Sequence, residues 1–336
     1  MIMRDSIERT TLGLSAAITL LAALGGCTTN QATRPVNTTA VETYVKGVYA
    51  YQGGKQDEAV STLKDAIANN PQLIMPRVLL GSIYKQRNDY AAAAEQYETL
   101  VQLDPYNNGN FYQLGVSYQL LQRLREAADA YRKTLRLDDN DFGANMNLGL
   151  VYLTLGDVDN AIRFTQKAAA LRPESAEAQA NLAIVLDSAG QYAPAEKAYR
   201  KSLELAPLQS GTLTNYGNNL IAQQKWSQAV EVFNEILKRD NTPYLHKRLA
   251  DAYALGGKYD QAIAEYKTAL KKNPKYFAAL NEQARVMILQ YQRGMELDDI
   301  QRDQALAIWR QSLEVQPDQP KIKLALQDWE KRMFSK

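Results

Sequence analysis

The sequence predicts an all-α fold built from repeated helix pairs. Three series of residues support this fold class, and each recurs at a spacing of 34 residues, or once 33, over most of the 336-residue chain. In each unit a small residue is followed by an alanine, twelve residues later in every unit but the last, and in most units by a proline twelve residues after that alanine. A fixed period of this length indicates stacked helical units, each of which buries its apolar surface against its neighbours.

The small residue of each unit lies in the middle of the first predicted helix. This series is Gly47, Gly81, Gly115, Gly149, Ala183, Gly217, Ala250 and Ala284. A glycine there costs about 1 kcal/mol relative to alanine, so we expect close helix packing to offset the cost. Gly149 is predicted to face Ala161 of the second helix, with large residues such as Tyr131 filling the space around such contacts.

Turn residues predict where the helices end. Four glycines are expected to close first helices in the left-handed conformation, which glycine adopts at little cost: Gly54, Gly156, Gly190 and Gly257. Prolines are expected to end second helices or to start the next unit, because proline lacks an amide donor.

These three series, which agree in phase, resemble the tetratricopeptide repeat over residues 40–318. The resemblance implies a right-handed α-α superhelix of about eight helix pairs. The last pair carries a nine-residue insertion within YQRGMELDDIQRD, which we expect to be a solvated extension between its helices. Residues 319–336 are predicted to form a C-terminal capping helix with Ile322, Leu326, Trp329 and Met333 on one face.

The N-terminal region has the features of a targeting segment. An apolar run of about sixteen residues, short for a membrane span, ends in Leu24-Gly25-Gly26-Cys27. These four residues resemble a bacterial lipobox, which implies a signal peptide over 1–26, lipid attachment at Cys27 and a flexible tether over 27–39. A buried free cysteine after an apolar helix is the alternative. Gly25, and a leader in which acidic residues offset the arginines, depart from the usual pattern.

The lipobox also implies a location. Thr28 stands where an aspartate would favour retention in the inner membrane. The resemblance therefore implies a periplasm-facing anchor, with palmitate among its acyl chains, in a bacterial outer membrane, or in the cell membrane where no outer membrane exists. Several acyl chains, at about 0.8 kcal/mol per buried methylene, would hold the protein durably.

Composition argues against several function classes. A net charge of +2 gives no basic surface for nucleic acid. One cysteine and one histidine leave few ways to build a catalytic triad or a histidine metal site. We find no nucleophile–base pair, metal-ligand spacing or phosphate loop, so the sequence predicts no enzyme activity, no cofactor and no metal.

The candidate binding residues lie on first helices, just before the large and small residues of each unit. Asn147, Asn181 and Asn215 repeat there at the 34-residue spacing, and Gln113 extends the series. A carboxamide offers both a donor and an acceptor, so such a ladder can hold a peptide backbone without reading its side chains. The alternative is that these are tolerated polar residues on a solvated face.

The ladder resembles that of the superhelical repeat domain of O-linked N-acetylglucosamine transferase, which holds extended polypeptide. No transferase domain is present here, so only the holding role could carry over. Further groove candidates are Tyr112, Asp187 and Asn218. Lys247 and Arg248 alone do not make the clamp with which some tetratricopeptide domains read C-terminal carboxylates.

The leading hypothesis is a non-catalytic, lipid-anchored scaffold or adaptor for protein or extended-peptide partners in the bacterial envelope. The combination resembles pilotins and assembly lipoproteins of pili and secretion machines, and also lipoprotein adaptors for cell-wall enzymes and proteases. A glycan-handling cofactor of an envelope enzyme and a structural tether that self-associates remain as alternatives.

Overall fold

A computed structural model describes residues 38–294 and 298–334, without the side chain of Phe334. The described part contains seventeen α-helices and no strand, so the predicted all-α class is confirmed. Eight pairs, each a first and a second helix, are followed by one more helix. The first four pairs are α1 Thr38–Gln52 and α2 Gln56–Asn69, α3 Ile74–Gln86 and α4 Tyr90–Leu103, α5 Asn108–Leu120 and α6 Leu124–Leu137, α7 Phe142–Leu155 and α8 Val158–Leu171.

The remaining helices continue the same alternation. They are α9 Ala176–Ser188 and α10 Tyr192–Leu205, α11 Ser210–Ala222 and α12 Trp226–Leu237, α13 Pro243–Leu255 and α14 Tyr259–Lys272, α15 Phe277–Arg293 and α16 Asp299–Val315, and finally α17 Pro320–Phe334. None of these helices has the length and apolar character that a membrane span requires.

The described part of the chain divides into two compact units, with the boundary between residues 76 and 77. In the first unit α1 packs on α2, and Gly47 lies against the side chain of Leu63. In the second unit each helix packs on the next along the chain from α4 to α16, and consecutive first helices also contact one another from α5 to α15. These contacts put the first helices on the inner side of that unit's superhelix. We call their solvent-facing surface from α5 to α13 the groove.

The small residues make room for a side chain sixteen residues later, which corrects the expected contact. A Cβ on Gly115 would lie 2.7 Å from the ring of Tyr131. Gly81 and Gly217 meet Tyr97 and Phe233 in the same way.

The predicted contact between Gly149 and Ala161 forms only part of the packing in the fourth pair. A Cβ on Gly149 would lie 3.2 Å from the Ala161 carbonyl oxygen, but 2.5 Å from Cγ2 of Thr165. Thr165 stands where the other pairs carry a larger residue, so here the backbones come close. The void beneath the glycine is therefore shaped mainly for an aromatic ring.

Helix ends follow the local chemistry of the sequence. Asp141, Asp157 and Ser175 each cap a helix by accepting a hydrogen bond from the backbone N–H three residues on. The four predicted turn glycines have φ between +72° and +82°. At the equivalent position the other three pairs up to the seventh carry Asn88, Gln122 and Gln224, with φ near +60°.

The insertion in the last pair mostly lengthens its helices. Both α15 and α16 have 17 residues, against 12 to 15 in the earlier pairs. Residues 291–293 and 299–303, expected in a solvated extension, are helical. Tyr291 is buried and donates a hydrogen bond to Asp299 across the join (3.0 Å). Residues 295–297 of the insertion lie outside the described part.

The final helix α17 packs against the last pair. Leu326 is buried there, and Ile322 and Trp329 pack against the same cluster. Met333, expected on the same face, is 39% exposed. Three of the four predicted contact residues therefore pack against the last pair, and of these Leu326 is the buried one.

Candidate functional site

The predicted ladder residues lie one on each of four consecutive first helices. Gln113 is on α5, Asn147 on α7, Asn181 on α9 and Asn215 on α11, and all four are partly exposed. Their surroundings nevertheless differ, because the hydrogen bonds that each amide makes within the protein are not the same.

Asn147 is held by two tyrosines of the preceding pair. Its Nδ2 donates to the hydroxyls of Tyr112 and Tyr131, both at 3.3 Å. Tyr131 comes from the second helix α6; its ring packs beneath Gly115, and its hydroxyl donates to Gln119 at the groove (2.7 Å). The space beneath the glycine thus lets a side chain of the outer layer contact the inner layer.

The amide of Asn147 therefore keeps only its oxygen for a ligand. The rings of Tyr112 and Tyr131 lie 5.8 Å apart, and burial raises the pKa of both hydroxyls. Both hydroxyls thus stay protonated, able to donate as well as to accept. Tyr112, predicted as a separate groove contact, thus accepts a hydrogen bond from Asn147.

Asn181 and Asn215 make no hydrogen bond with any described residue, so both their donors and their acceptors face solvent. The reason lies in the preceding pairs. Thr165 replaces the tyrosine beneath Gly149, so no hydroxyl reaches Asn181. Tyr199 does extend to the inner layer, but its hydroxyl donates to Asp187 (3.2 Å).

Gln113, at the start of the ladder, is engaged by a cation. The Nζ of Lys85 on α3 donates to its side-chain oxygen. Burial lowers the pKa of Lys85. The ladder therefore consists of two engaged amides, on α5 and α7, followed by two free ones, on α9 and α11.

The other predicted contacts are partnered. Asn218 of α11 accepts a hydrogen bond from Nε of Arg248 on α13 (2.7 Å). Asp187 accepts from Nδ2 of Asn219 (2.6 Å) as well as from Tyr199, and burial raises its pKa while these hydrogen bonds lower it in part.

Sequence reasoning missed a buried charge cluster on α13. Asp251 is 9% exposed and accepts from Lys247 (2.9 Å), Arg248 (2.8 Å) and the hydroxyl of Tyr266 (2.8 Å). The spacings of three and four residues between the cations and Asp251 could have shown this cluster. Lys247 and Arg248 are thus partners of Asp251.

A cavity of about 270 Å³ lies beside Asn215, between the N-terminal halves of α11 and α13. Thr214, Asp240 and Tyr244 line it, and Tyr244 is 47% exposed. No single-sequence pattern marks this cavity, because it lies between two repeats.

The single histidine has a packing role. His246 is buried on α13, with Nδ1 2.6 Å from a carboxylate oxygen of Glu265 and Nε2 2.8 Å from the side-chain oxygen of Asn241.

Within 38–294 and 298–334, no group of three His, Cys, Asp or Glu residues could hold a metal ion. Cys27 and the predicted lipobox lie outside the described residues.

Comparisons with known proteins fit this repeated geometry. Tetratricopeptide repeat family models match residues 44–108, 110–141, 141–207 and 216–287. The chain belongs to the tetratricopeptide repeat family. Such repeats are generally non-catalytic scaffolds for protein–protein interaction.

Two curated proteins match short stretches at 28% identity. One is the photosystem I assembly protein Ycf3 of Cyanophora paradoxa, over 114 residues, 31% of this chain and 66% of that protein. The other, the general transcriptional corepressor trfA of Dictyostelium discoideum, matches over 80 residues, 24% of this chain and 6% of that protein. The chain thus spans less than two thirds of either relative.

Solved structures share the fold at low identity. The C-terminal part of a repeat protein from Cytophaga hutchinsonii has a TM-score of 0.60 at 17% identity, covering 72% of this chain and 96% of that one. PilW, described as a widely conserved type IV pilus biogenesis factor, has a TM-score of 0.52 at 19% identity, covering 61% and 94%. At these identities the likeness is one of fold.

Proposed function

We propose that the protein is a non-catalytic scaffold that holds an extended segment of a partner protein in the groove. The observation that carries this proposal is the pair of free amides, Asn181 and Asn215. They lie on adjacent first helices, and neither has a hydrogen-bond partner among the described residues. Each can pair with an N–H and a C=O of a passing backbone.

Backbone recognition explains why amides suit this site. An extended chain presents its peptide groups at a regular rise, and hydrogen bonds to them carry no side-chain information. The oxygen of Asn147 adds an acceptor one repeat earlier, and the cavity beside Asn215 accepts one side chain. The groove is thus suited to a strand-like segment of loose sequence specificity.

The test is capture of a partner by the full chain. A photoreactive residue at Leu150, on the groove side of α7, crosslinks the bound segment in envelope extracts, and captured protein is quantified. We expect Asn181→Ala with Asn215→Ala to reduce capture at least tenfold, since two backbone hydrogen-bonding sites are lost.

A matched control removes two carboxamides from the second-helix surface. Gln228→Ala with Asn234→Ala changes exposed residues of α12 that make no hydrogen bond with the described residues. Capture and melting temperature should both stay unchanged. Equal capture by the ladder variant and this control would refute the groove proposal.

We also propose that the scaffold is attached to a bacterial membrane through a lipid on Cys27, facing the periplasm in species with an outer membrane. The support is the Leu24-Gly25-Gly26-Cys27 motif, which contains the chain's one cysteine. Labelled palmitate should be incorporated by the wild-type protein and not by Cys27→Ala. Incorporation by the variant would rule out this anchor.

We further propose that the held partner belongs to a machine assembled in the envelope, such as a pilus or a secretion apparatus. A lipobox followed by a long repeat array supports this class of role. Deletion of the protein should reduce assembly of the machine without affecting synthesis of its subunits. Cys27→Ala should produce the same defect if anchoring is required.

A further inference from the structure

A carboxylate without a cation lies beside the free amides. Asp187 is in the last turn of α9 and is partly exposed. Its two oxygens accept hydrogen bonds from the side chains of Asn219 (2.6 Å) and Tyr199 (3.2 Å), both neutral. It forms no ion pair with any described lysine, arginine or histidine.

The surroundings of Asp187 disfavour its negative charge. The C-terminal end of a helix carries a partial negative charge, so an anion in the last turn is repelled. Burial adds to this by raising the pKa of Asp187, and the two hydrogen bonds lower it only in part. An uncompensated charge of this kind is a candidate for binding a ligand of opposite sign.

A carboxylate–tyrosine hydrogen bond also occurs two repeats later, from a different position of the first helix and with cations present: Asp251 directly follows Ala250, whereas Asp187 lies four residues after Ala183. Asp251 accepts from the hydroxyl of Tyr266, which stands sixteen residues after Ala250, as Tyr199 stands sixteen after Ala183. Lys247 and Arg248, four and three residues before Asp251, neutralise it.

In the fifth pair the residues four and three before Asp187 are Ala183 and Ile184, and the repeat counterparts of Lys247 and Arg248 are Ala180 and Asn181; none of these four side chains is charged. Each of these two carboxylates accepts from a second-helix tyrosine of its own pair, but only Asp251 has cations of the protein beside it. The site at Asp187 therefore lacks the cations that neutralise Asp251.

We propose that Asp187 binds a lysine or arginine side chain of the partner segment held in the groove. The inference rests on the proposed groove function and adds a specificity to it. Asn215 lies one helical turn before Asn219, the residue that bonds Asp187, so backbone and side-chain recognition meet on the same edge of α11. The partner is thus an extended segment with a basic residue, recognised by one ion pair and by backbone hydrogen bonds.

The probe is an array of immobilised twelve-residue peptides, randomised except for one central position fixed as lysine, arginine, citrulline or glutamate. Binding of the full-length protein is measured at low and at 0.5 M salt. We expect lysine and arginine peptides to bind about tenfold better than citrulline peptides, as for a charge-assisted hydrogen bond. The preference should shrink at high salt, because ions screen a partly exposed pair.

Three variants separate the possible results. Asp187→Asn should bind neutral peptides normally and lose the basic preference, with its melting temperature kept or raised. Glu231→Gln, which removes one charge from an exposed position on α12, should keep the preference. Ile184→Arg places an arginine three residues before Asp187, as Arg248 lies before Asp251; it should abolish the preference, whereas Ile184→Gln should keep it.

Equal binding of lysine and citrulline peptides by the wild type, or a preference that survives Asp187→Asn, would overturn the inference and leave the groove intact. Failure of the groove itself has a different result: the double variant of Asn181 and Asn215 would then bind neutral peptides as the wild type does. Absence of binding to every peptide would overturn both.

Discussion

The fifth and seventh helix pairs each hold a carboxylate of the inner layer, at different positions of the first helix and in two electrostatic states. Each places a carboxylate on its first helix against a tyrosine hydroxyl from its second helix. Asp251 in the seventh pair is neutralised by Lys247 and Arg248, whereas Asp187 in the fifth pair has neutral partners only.

The difference shows how a repeat fold can use one carboxylate to stabilise the structure and another to bind a partner. Where a unit supplies its own counter-ions, the carboxylate becomes part of the structure, and removing it leaves buried cations unpaired. Where the counter-ions are absent, a carboxylate of the inner layer destabilises the free protein slightly and can be neutralised by a partner. Repeats of one architecture can thus have different roles.

The largest expected effect comes from removing the neutralised carboxylate. Asp251→Ala leaves Lys247 and Arg248, whose side chains are 17% and 21% exposed, without their anion. We expect the free energy of unfolding to fall by about 2–4 kcal/mol, measured by urea denaturation followed by circular dichroism. Asp187→Ala is the comparison; it removes the acceptor of two neutral donors and should cost less, about 1–2 kcal/mol. Similar losses at both sites would contradict the assignment of different roles.

The next effect tests whether the two pairs differ in helix packing. Ala183 and Ala250 are fully buried against their tyrosines. Replacing either by glycine should cost about 1–2 kcal/mol, from helix propensity and a lost buried methyl group. The two losses should agree within about 0.5 kcal/mol in urea denaturation. A larger difference would mean that packing, and not charge alone, distinguishes these pairs.

The sequence predicted the helix pairs well, because a period of 34 residues and its small residues record packing that every unit repeats. It did not predict which residue fills the space beneath the glycine. Ala161 and Thr165 are one helical turn apart, and spacing alone does not decide which of them faces Gly149. The structure shows the second to be the main contact.

The ladder positions were also predictable, but their different states were not. Whether a ladder amide is free depends on residues of the preceding pair. Thr165 provides no hydroxyl that reaches Asn181, and Asp187 accepts from the Tyr199 hydroxyl that could otherwise bond Asn215. The residue types at 131, 165 and 199 decide which amides receive a hydrogen bond. This can be read from the sequence only when it is known that a tyrosine at these positions passes beneath the small residue and brings its hydroxyl to the inner layer. The cavity between α11 and α13 depends on how two helices sit together, which a single sequence does not record.

The smallest expected effect is a pH dependence of opposite sign at two acids of the fifth pair. Burial raises the pKa of Asp187, so its protonated form stabilises the fold at low pH, and this contribution is lost as pH rises through the folded-state value. Glu196 is also buried, which opposes ionisation, but Lys225 and Arg200 lower its pKa overall. Its contribution is present at neutral pH and is lost as pH falls through its folded-state value.

Urea denaturation at pH 4, 5, 6 and 7 checks both signs. The stability advantage of Asp187→Asn over wild type should grow from pH 4 to pH 7, since only the charged carboxylate is disfavoured. The deficit of Glu196→Gln should grow over the same range, since the ion pairs that it removes need an ionised carboxylate. An advantage of Asp187→Asn that is constant with pH would mean that the charge of Asp187 is already compensated within the free protein, and the fifth pair would then resemble the seventh.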